Sequence, residues 1–491
     1  MKQLSIRCFA FVLVLGFTSL QAQQGRPIDP DAVFKTHVVH LGPVARGQAA
    51  TPAAVQPATS ATFSGAGYKV GPTITPTTTI PEAEEHIAVD PLNSSTLVAA
   101  ISDFSLRGGF NTTKYAFSLN NGAGGTWTER FVPLVNGFPA TGDGRVWNAN
   151  SDPVLAIDRL GNVFLVDLYI NVSGNAITGD GLYVSTANVT SGVNFTVAKT
   201  VAVVPPAAGP NPLQDKPWIA ADNSGATEGN VYVSWTLFQG AKDMVLLSRS
   251  TDHGATWSAP IQISLDSQSG AVQGSQVAVG PGGEVYVAYE VFFTGGLRQQ
   301  FLAKSTDGGQ TFSAAIAITP FFNDLTFSST YRKNSFPALG LSPSNGNVYV
   351  AYSDQPNSTV GAEVEFISST DGGSSFSAPL TINDNSAGQQ FMPALTVDGS
   401  GVVQASWFDT RNSTSGSAMY DIFATFTANG GASFSPNARV TSTIVNADSS
   451  GFIGDYAGIA AGAGFAHPVW TNGGFNNGHL QTATLTLPKN L

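Results

Sequence analysis

Apolar and polar residues alternate along this chain in short runs, and the runs come in pairs. HIAVDPLNSSTLVAAISDF from His86, PVLAIDRLGNVFLVDLY from Pro153, PWIAADNSGATEGNVYVSW from Pro217 and SQVAVGPGGEVYVAYE from Ser275 each read as two extended segments around a turn of Gly, Pro, Asn or Asp. PALGLSPSNGNVYVAY from Pro337, PALTVDGSGVVQASWFD from Pro393 and YAGIAAGAGFAHPVW from Tyr456 repeat the phrase. A period of two interrupted by such turns predicts antiparallel hairpins.

A second phrase alternates with the first. STDHGATW (Ser250 to Trp257) returns as STDGGQTF (Ser305 to Phe312) and STDGGSSF (Ser369 to Phe376), with weaker copies ending at Trp127, Phe195 and Phe434. Each octet lies between two further strand-like runs, so one unit holds four strands, the content of a β-propeller blade. The fold class is therefore read as all-β, a single propeller of four-stranded antiparallel blades. The hairpin phrase occurs seven times and the octet six. Seven blades are predicted, with six as the alternative, and GYKVGPTITPT from Gly67 is expected to pair with the last unit and close the ring. Within the octet, Asp252, Asp307 and Asp371 are assigned to the turn itself: the carboxylate accepts backbone N–H groups, the glycines supply positive φ, and the closing aromatic packs between blades.

These octets resemble the Asp-box (BNR) repeats of sialidases and related propellers, over about Gly67 to Leu487. The resemblance implies a sialidase-like propeller in which an arginine cluster grips a substrate carboxylate, an acid protonates the leaving group and a tyrosine assisted by a carboxylate attacks. Arg411 in SWFDTRN and Tyr456 in GDYAG match the family's late arginine and tyrosine, with Asp409 or Asp455 as acid. The family's early Phe-Arg-Ile-Pro motif does not occur in the mature chain, which leaves Arg145 and Arg332 as the remaining arginines for that grip.

Composition narrows the setting. Of 491 residues 11% are charged and the formal net charge is −11, which argues against nucleic acid and anionic membrane surfaces as partners. Lys2 and Arg7 precede an apolar run from Phe9 to Phe17, then small residues around Ala22: a cleaved signal peptide at 1–22 and a secreted or periplasmic protein. A flexible Pro/Ala/Thr-rich segment is expected at 23–65 and the propeller at 66–491. The run is too short to span a membrane. The one cysteine, Cys8, lies in the leader, so the mature chain has no thiol chemistry. No metal-ligand spacing links the histidines and no cofactor is expected; DNSGATEGN from Asp222 and NDNSAG from Asn383 offer loop oxygens of the kind that hold Ca²⁺, a common arrangement in such loops.

In a propeller the residues just before each inner strand face a shared funnel. Those positions hold Glu84, Glu85, Asp152, Asp215, Lys216, Arg332 and Asp455, and the loop after the second strand adds Asp354, Asp409 and Arg411. Glu84, Asp152, Asp409, Arg411, Asp455 and Tyr456 are the candidates for chemistry, and Glu85, Asp215, Lys216, Arg332 and Asp354 for substrate binding. Two functions remain open: a monomeric, secreted exo-glycosidase of sialidase type acting on extracellular glycans, or a non-catalytic propeller that binds glycan or protein on the same face. Three guanidinium groups in one funnel would separate the first from the second.

Overall fold

The computed structural model describes Val55 and residues 57–490, apart from 106–111, 137, 174–175, 205–212, 241, 330, 358–359, 414–417, 448–451 and 474–476. The leader at 1–22 and most of the 23–65 segment lie outside the described residues.

Seven antiparallel sheets follow one another along the chain. Blade 1 comprises Glu82–Val89, Leu97–Asp103, Thr112–Ser118 and Trp127–Phe131; blade 2, Ala149–Ile157, Asn162–Ser173, Ala176–Asn188 and Lys199–Val204; blade 3, Leu213–Ala221, Val231–Gln239, Lys242–Ser250 and Ile261–Gln262. Blade 4 comprises Val272–Val279, Val285–Phe292, Leu297–Ser305 and Ile316–Ala317; blade 5, Ala338–Leu341, Val348–Asp354, Glu363–Ser369 and Leu380–Thr381; blade 6, Gln390–Val397, Val403–Asp409, Met419–Thr427 and Ala438–Arg439. Blade 7 takes Gly458–Gly462, Phe465–Asn472 and His479–Thr486 from the end of the chain and its outermost strand, Lys69–Ile74, from the beginning. Lys69 pairs with Thr486 and Ile74 with Thr482, which is the ring closure expected from the sequence and settles the count at seven. The first strand of each blade packs against the first strands of its neighbours around the axis.

Both faces of the central strands are apolar because every blade is covered on both sides. In blade 3, Val231, Val233 and Trp235 pack toward blade 2, while Tyr232 joins Val287 and Tyr289 of blade 4. Equivalent apolar layers fill the other gaps, with Phe366 and Trp407 between blades 5 and 6, and Tyr420 and Trp470 between blades 6 and 7. At the seam between blades 7 and 1 a buried Lys114 sits among Glu82 and Asp103, and Glu82 accepts the Leu480 amide at 2.9 Å.

The octets occupy the turn from third to fourth strand, with one repeated bond set. Gly254 N donates to Ser250 Oγ at 2.8 Å and Thr256 N to Asp252 Oδ1 at 2.8 Å. Gly309 with Ser305 and Thr311 with Asp307 repeat the pair at 2.9 Å each, as do Gly373 with Ser369 and Ser375 with Asp371. The copy carrying Asn429 keeps both bonds, at 3.1 and 3.0 Å, because an amide oxygen accepts as a carboxylate does. Trp257, Phe312 and Phe376 then pack into the layer toward the preceding blade. Strand alternation puts these turns on the face opposite the starts of the inner strands, away from the funnel.

The last part of the 23–65 segment is fixed along the rim. Thr59–Ser60 pairs in parallel with Leu380–Thr381 of blade 5, and Phe434 of blade 6 donates its amide to Thr62 at 2.8 Å. Outer edges otherwise left with unpaired backbone groups attract it.

Two outcomes follow. The side-chain hydroxyls and amides of Thr311 and Ser375 hold the Asp307 and Asp371 carboxyls well below the ordinary carboxylate range. A depressed folded value means stability present above about pH 4 and lost as pH falls below it. An Asp307→Ala, Asp371→Ala double variant is therefore expected to melt below wild type at pH 7, with the gap narrowing toward pH 2 in thermal scans. Removing residues 55–74 should leave blade 7 with an unpaired edge and convert the protein to aggregates in size-exclusion chromatography, whereas loss of 1–54 should not.

Candidate functional site

Five inner strands share one irregularity. In blades 1, 2, 3, 4 and 6 two residues face one on the neighbouring strand: 84–85, 152–153, 216–217, 274–275 and 392–393. The first residue of each bulge is left-handed, with φ of 62° at Glu84, 57° at Asp152, 50° at Lys216, 69° at Gly274 and 50° at Met392. Four of these five are not glycine, so each holds strain on the order of 1–2 kcal/mol, a pattern that gathers at functional sites. In three of them the second residue is a proline, Pro153, Pro217 or Pro393, which has no N–H to lose where the ladder is broken. Phe336 and Tyr456 stand at the corresponding places in blades 5 and 7, before Pro337 and Ala457.

The bulge turns these side chains toward the axis, where they meet. Glu84 and Asp152 lie within hydrogen-bonding reach of each other. Ser151 Oγ donates to Glu84 Oε2 at 3.0 Å, yet Glu84 Oε1 and Asp152 Oδ1, both buried, find no donor, a deficit that one proton shared between the carboxyls removes. Burial first, then the Asp152 and Asp455 charges, push the Glu84 carboxyl well up. Asp455 goes the other way. Against the penalty of burial, Arg332 and Lys216, both ion-paired to its Oδ2, hold its carboxyl below the ordinary range. Asn334 Nδ2 donates to the Asp455 carbonyl at 2.6 Å. Asp215 accepts from Gln273 Nε2 at 3.2 Å, and burial pushes its carboxyl up to about 7.

Opposite the charged groups the wall is apolar. Trp218, Phe336, Pro337, Met392, Pro393 and Tyr456 line, with Lys216 and Asp455, a cavity of about 40 Å³. Tyr456 is half-buried beside Glu84, donates its hydroxyl to Pro153 O at 3.3 Å and meets Trp218 edge-on at 6.1 Å.

The structure thus brings together Glu84, Asp152, Asp215, Lys216, Arg332, Asp455 and Tyr456. Glu85 is adjacent in sequence but faces Thr471 of blade 7, whose hydroxyl it accepts at 2.6 Å; burial pushes it up to about 8. Asp409 and Arg411 sit elsewhere, which corrects their assignment to the funnel. Arg411 reaches Asp409 at 2.8 Å, Asp384 at 2.7 Å and Asn437 at 3.3 Å, beside the outermost strands of blades 5 and 6, with its guanidinium over Phe423. Asp354 is likewise outside, accepting the Asn323 amide at 2.9 Å from the edge of blade 4. Arg145 pairs with Asp143 on an exposed loop of blade 2. Among the described residues, Arg332 is the one guanidinium at the axis, so three converging arginines are not found there.

Gly274, Phe336, Met392 and Asn334 were not among the residues read from the sequence. Their signal was positional: Lys216, Phe336 and Met392 each precede the proline that opens a hairpin phrase, and Gly274 holds the matching place before Ser275. Of the two loops with calcium-type oxygens, Asp222 accepts from Ser224 N at 2.8 Å and Asp384 is taken by Arg411 and the Asn437 amide. Among the described residues no group of three or more His, Cys, Asp or Glu is placed to hold a metal ion, and no helix is long and apolar enough to cross a membrane.

No known family profile and no curated protein matches the chain. Among solved structures it is similar to a protein of unknown function from Dyadobacter fermentans, at 13% identity over 86% of this chain and 100% of that one, with a TM-score of 0.49. An α-L-arabinanase of Penicillium chrysogenum complexed with arabinobiose gives 12% identity, 89% and 100% coverage and a TM-score of 0.46. A Trypanosoma rangeli sialidase in complex with sialic acid gives 13%, 88% of this chain, 59% of that one and 0.40. These likenesses concern overall shape alone.

Proposed function

We propose that the protein is a secreted glycoside hydrolase that acts on extracellular glycans at the axial funnel. One observation carries this reading: two neighbouring carboxyls, Glu84 and Asp455, are driven in opposite directions by their surroundings, one toward the protonated and one toward the ionised form. Such a split is how one site holds both an acid and an anion at the same pH. Glu84 delivers its proton to the glycosidic oxygen as the bond from that oxygen to the anomeric carbon breaks. The positive charge growing on the sugar faces the Asp455 carboxylate. Water adds its oxygen to the anomeric carbon, and its released proton returns to the Glu84–Asp152 pair.

A sialidase-type reaction is the narrower form of this proposal. Tyr456 beside Glu84 and the resemblance of the octets to Asp boxes support it; the lone axial guanidinium, already paired with Asp455, does not. The non-catalytic alternative draws on the same pairing, since both axial cations are bonded within the protein.

Sugar release from a panel of sialylated and neutral glycans, read by mass spectrometry, separates these outcomes. Glu84→Gln and Asp152→Asn keep shape and are expected to lower kcat by about 10²–10⁴-fold with folding intact. Activity should persist well into acid, where Asp455 stays ionised, and fall on the alkaline side as Glu84 loses its proton. Absence of any released sugar from folded protein would overturn the hydrolytic reading and leave binding.

A further inference from the structure

We propose that Phe336 is a displaceable plug, and that the notch it fills beside Gly274 is the seat of a sugar ring. The inference rests on reading the funnel as a glycan site. At the place where blades 1, 2, 3 and 6 turn Glu84, Asp152, Lys216 and Met392 to the axis, blade 4 has Gly274, also left-handed at φ 69°. A Cβ at that position would come within 2.3 Å of the Phe336 ring. The wall therefore has a gap at blade 4, and an aromatic ring from blade 5 fills it.

Phe336 belongs to a part of blade 5 that departs from the pattern. The inner strand there has four residues, Ala338–Leu341, against eight or nine in blades 1 to 4 and 6, and residues 332–337 carry no regular structure as they pass the funnel. The backbone on either side of Phe336 is held: Gln300 Nε2 donates to the Ser335 carbonyl at 2.8 Å, and Ala338 is in the sheet. Movement is thus rotation of the side chain out of the notch, not a lift of the segment. The ring itself is half-buried and has only van der Waals neighbours and the Lys216 ammonium at 6.0 Å to hold it.

Space gives the reason for it to move. The cavity of about 40 Å³ beside it has room for a few water molecules, whereas ligand pockets run to about 300 Å³ or more. A six-membered sugar ring has the breadth of the phenyl it would replace. The vacated seat offers what a sugar's two faces need: Trp218, Met392 and Tyr456 for its C–H face, and Lys216, Asn334 and Asp455 for its hydroxyls.

The test labels Phe336 itself. With 4-fluorophenylalanine at this position, the ¹⁹F resonance is followed as galactose, arabinose or N-acetylneuraminic acid is added. At least one sugar is expected to bind and move the resonance toward the solvent-exposed value. Phe336→Ala, which empties the notch beforehand, should bind that sugar about tenfold more tightly, since no part of the population is closed. Binding with an unmoved resonance, weaker binding by Phe336→Ala, or no binding of any of the three to either protein overturns the plug. Sugar that binds and displaces the ring in a protein that cleaves no glycan overturns the hydrolytic reading and leaves the plug standing. Cleavage in which Phe336→Ala binds more weakly does the reverse.

Discussion

A four-stranded sheet that is apolar on both faces has no stable form alone, because one face always remains in water. Each blade here meets that condition by lying between two others, and the condition passes from blade to blade until a ring removes the last exposed face. Closure then dictates the rest. The inner strands must converge on an axis, so whatever residues they carry at their starts are forced into one small volume. The polar centre follows from the apolar layers.

At that centre the fold accepts strain and charge that would not persist elsewhere. Left-handed backbone at Glu84, Asp152, Lys216 and Met392 is held by ladder pairing to the second strand that resumes on either side of each bulge. Four carboxyls lie close to two cations, and the excess of negative charge is accommodated by shifting proton affinity in opposite directions at different groups. The octet carboxylates on the far face are also depressed, but by hydroxyl and amide donors at the surface, which is the signature of a turn device.

Much of this was legible in the sequence. Hairpins, octet turns and the closing strand could be read from alternation and from Gly, Asp and Pro, because those signals are local. The axial charged residues were also readable, since Glu84, Asp152, Lys216 and Asp455 stand just before the hairpin phrases at matching places. Arg411 misled for a physical reason: just beyond the end of a strand, alternation no longer fixes direction, and its side chain turned outward to Asp384 and Asn437, taking the buried carboxylate of Asp409 at the strand's end as its partner. Phe336 and Met392 escaped because apolar residues before a proline look like ordinary core, and the bulge that redirects Met392 has no local sequence mark other than the proline itself.

The seam has a consequence for how the protein comes into being. Lys69–Ile74 is made before blades 1 to 6, and its partner His479–Thr486 after them. During synthesis, blades 1 to 6 can assemble in order while that first strand waits without a partner. The contact that joins the two ends spans almost the whole chain, the kind of pairing that is slowest to form. The ring is in effect a circle cut at one point, and cutting it between two other blades while linking Thr486 to Lys69 would move the waiting strand to a different place without changing the finished ring.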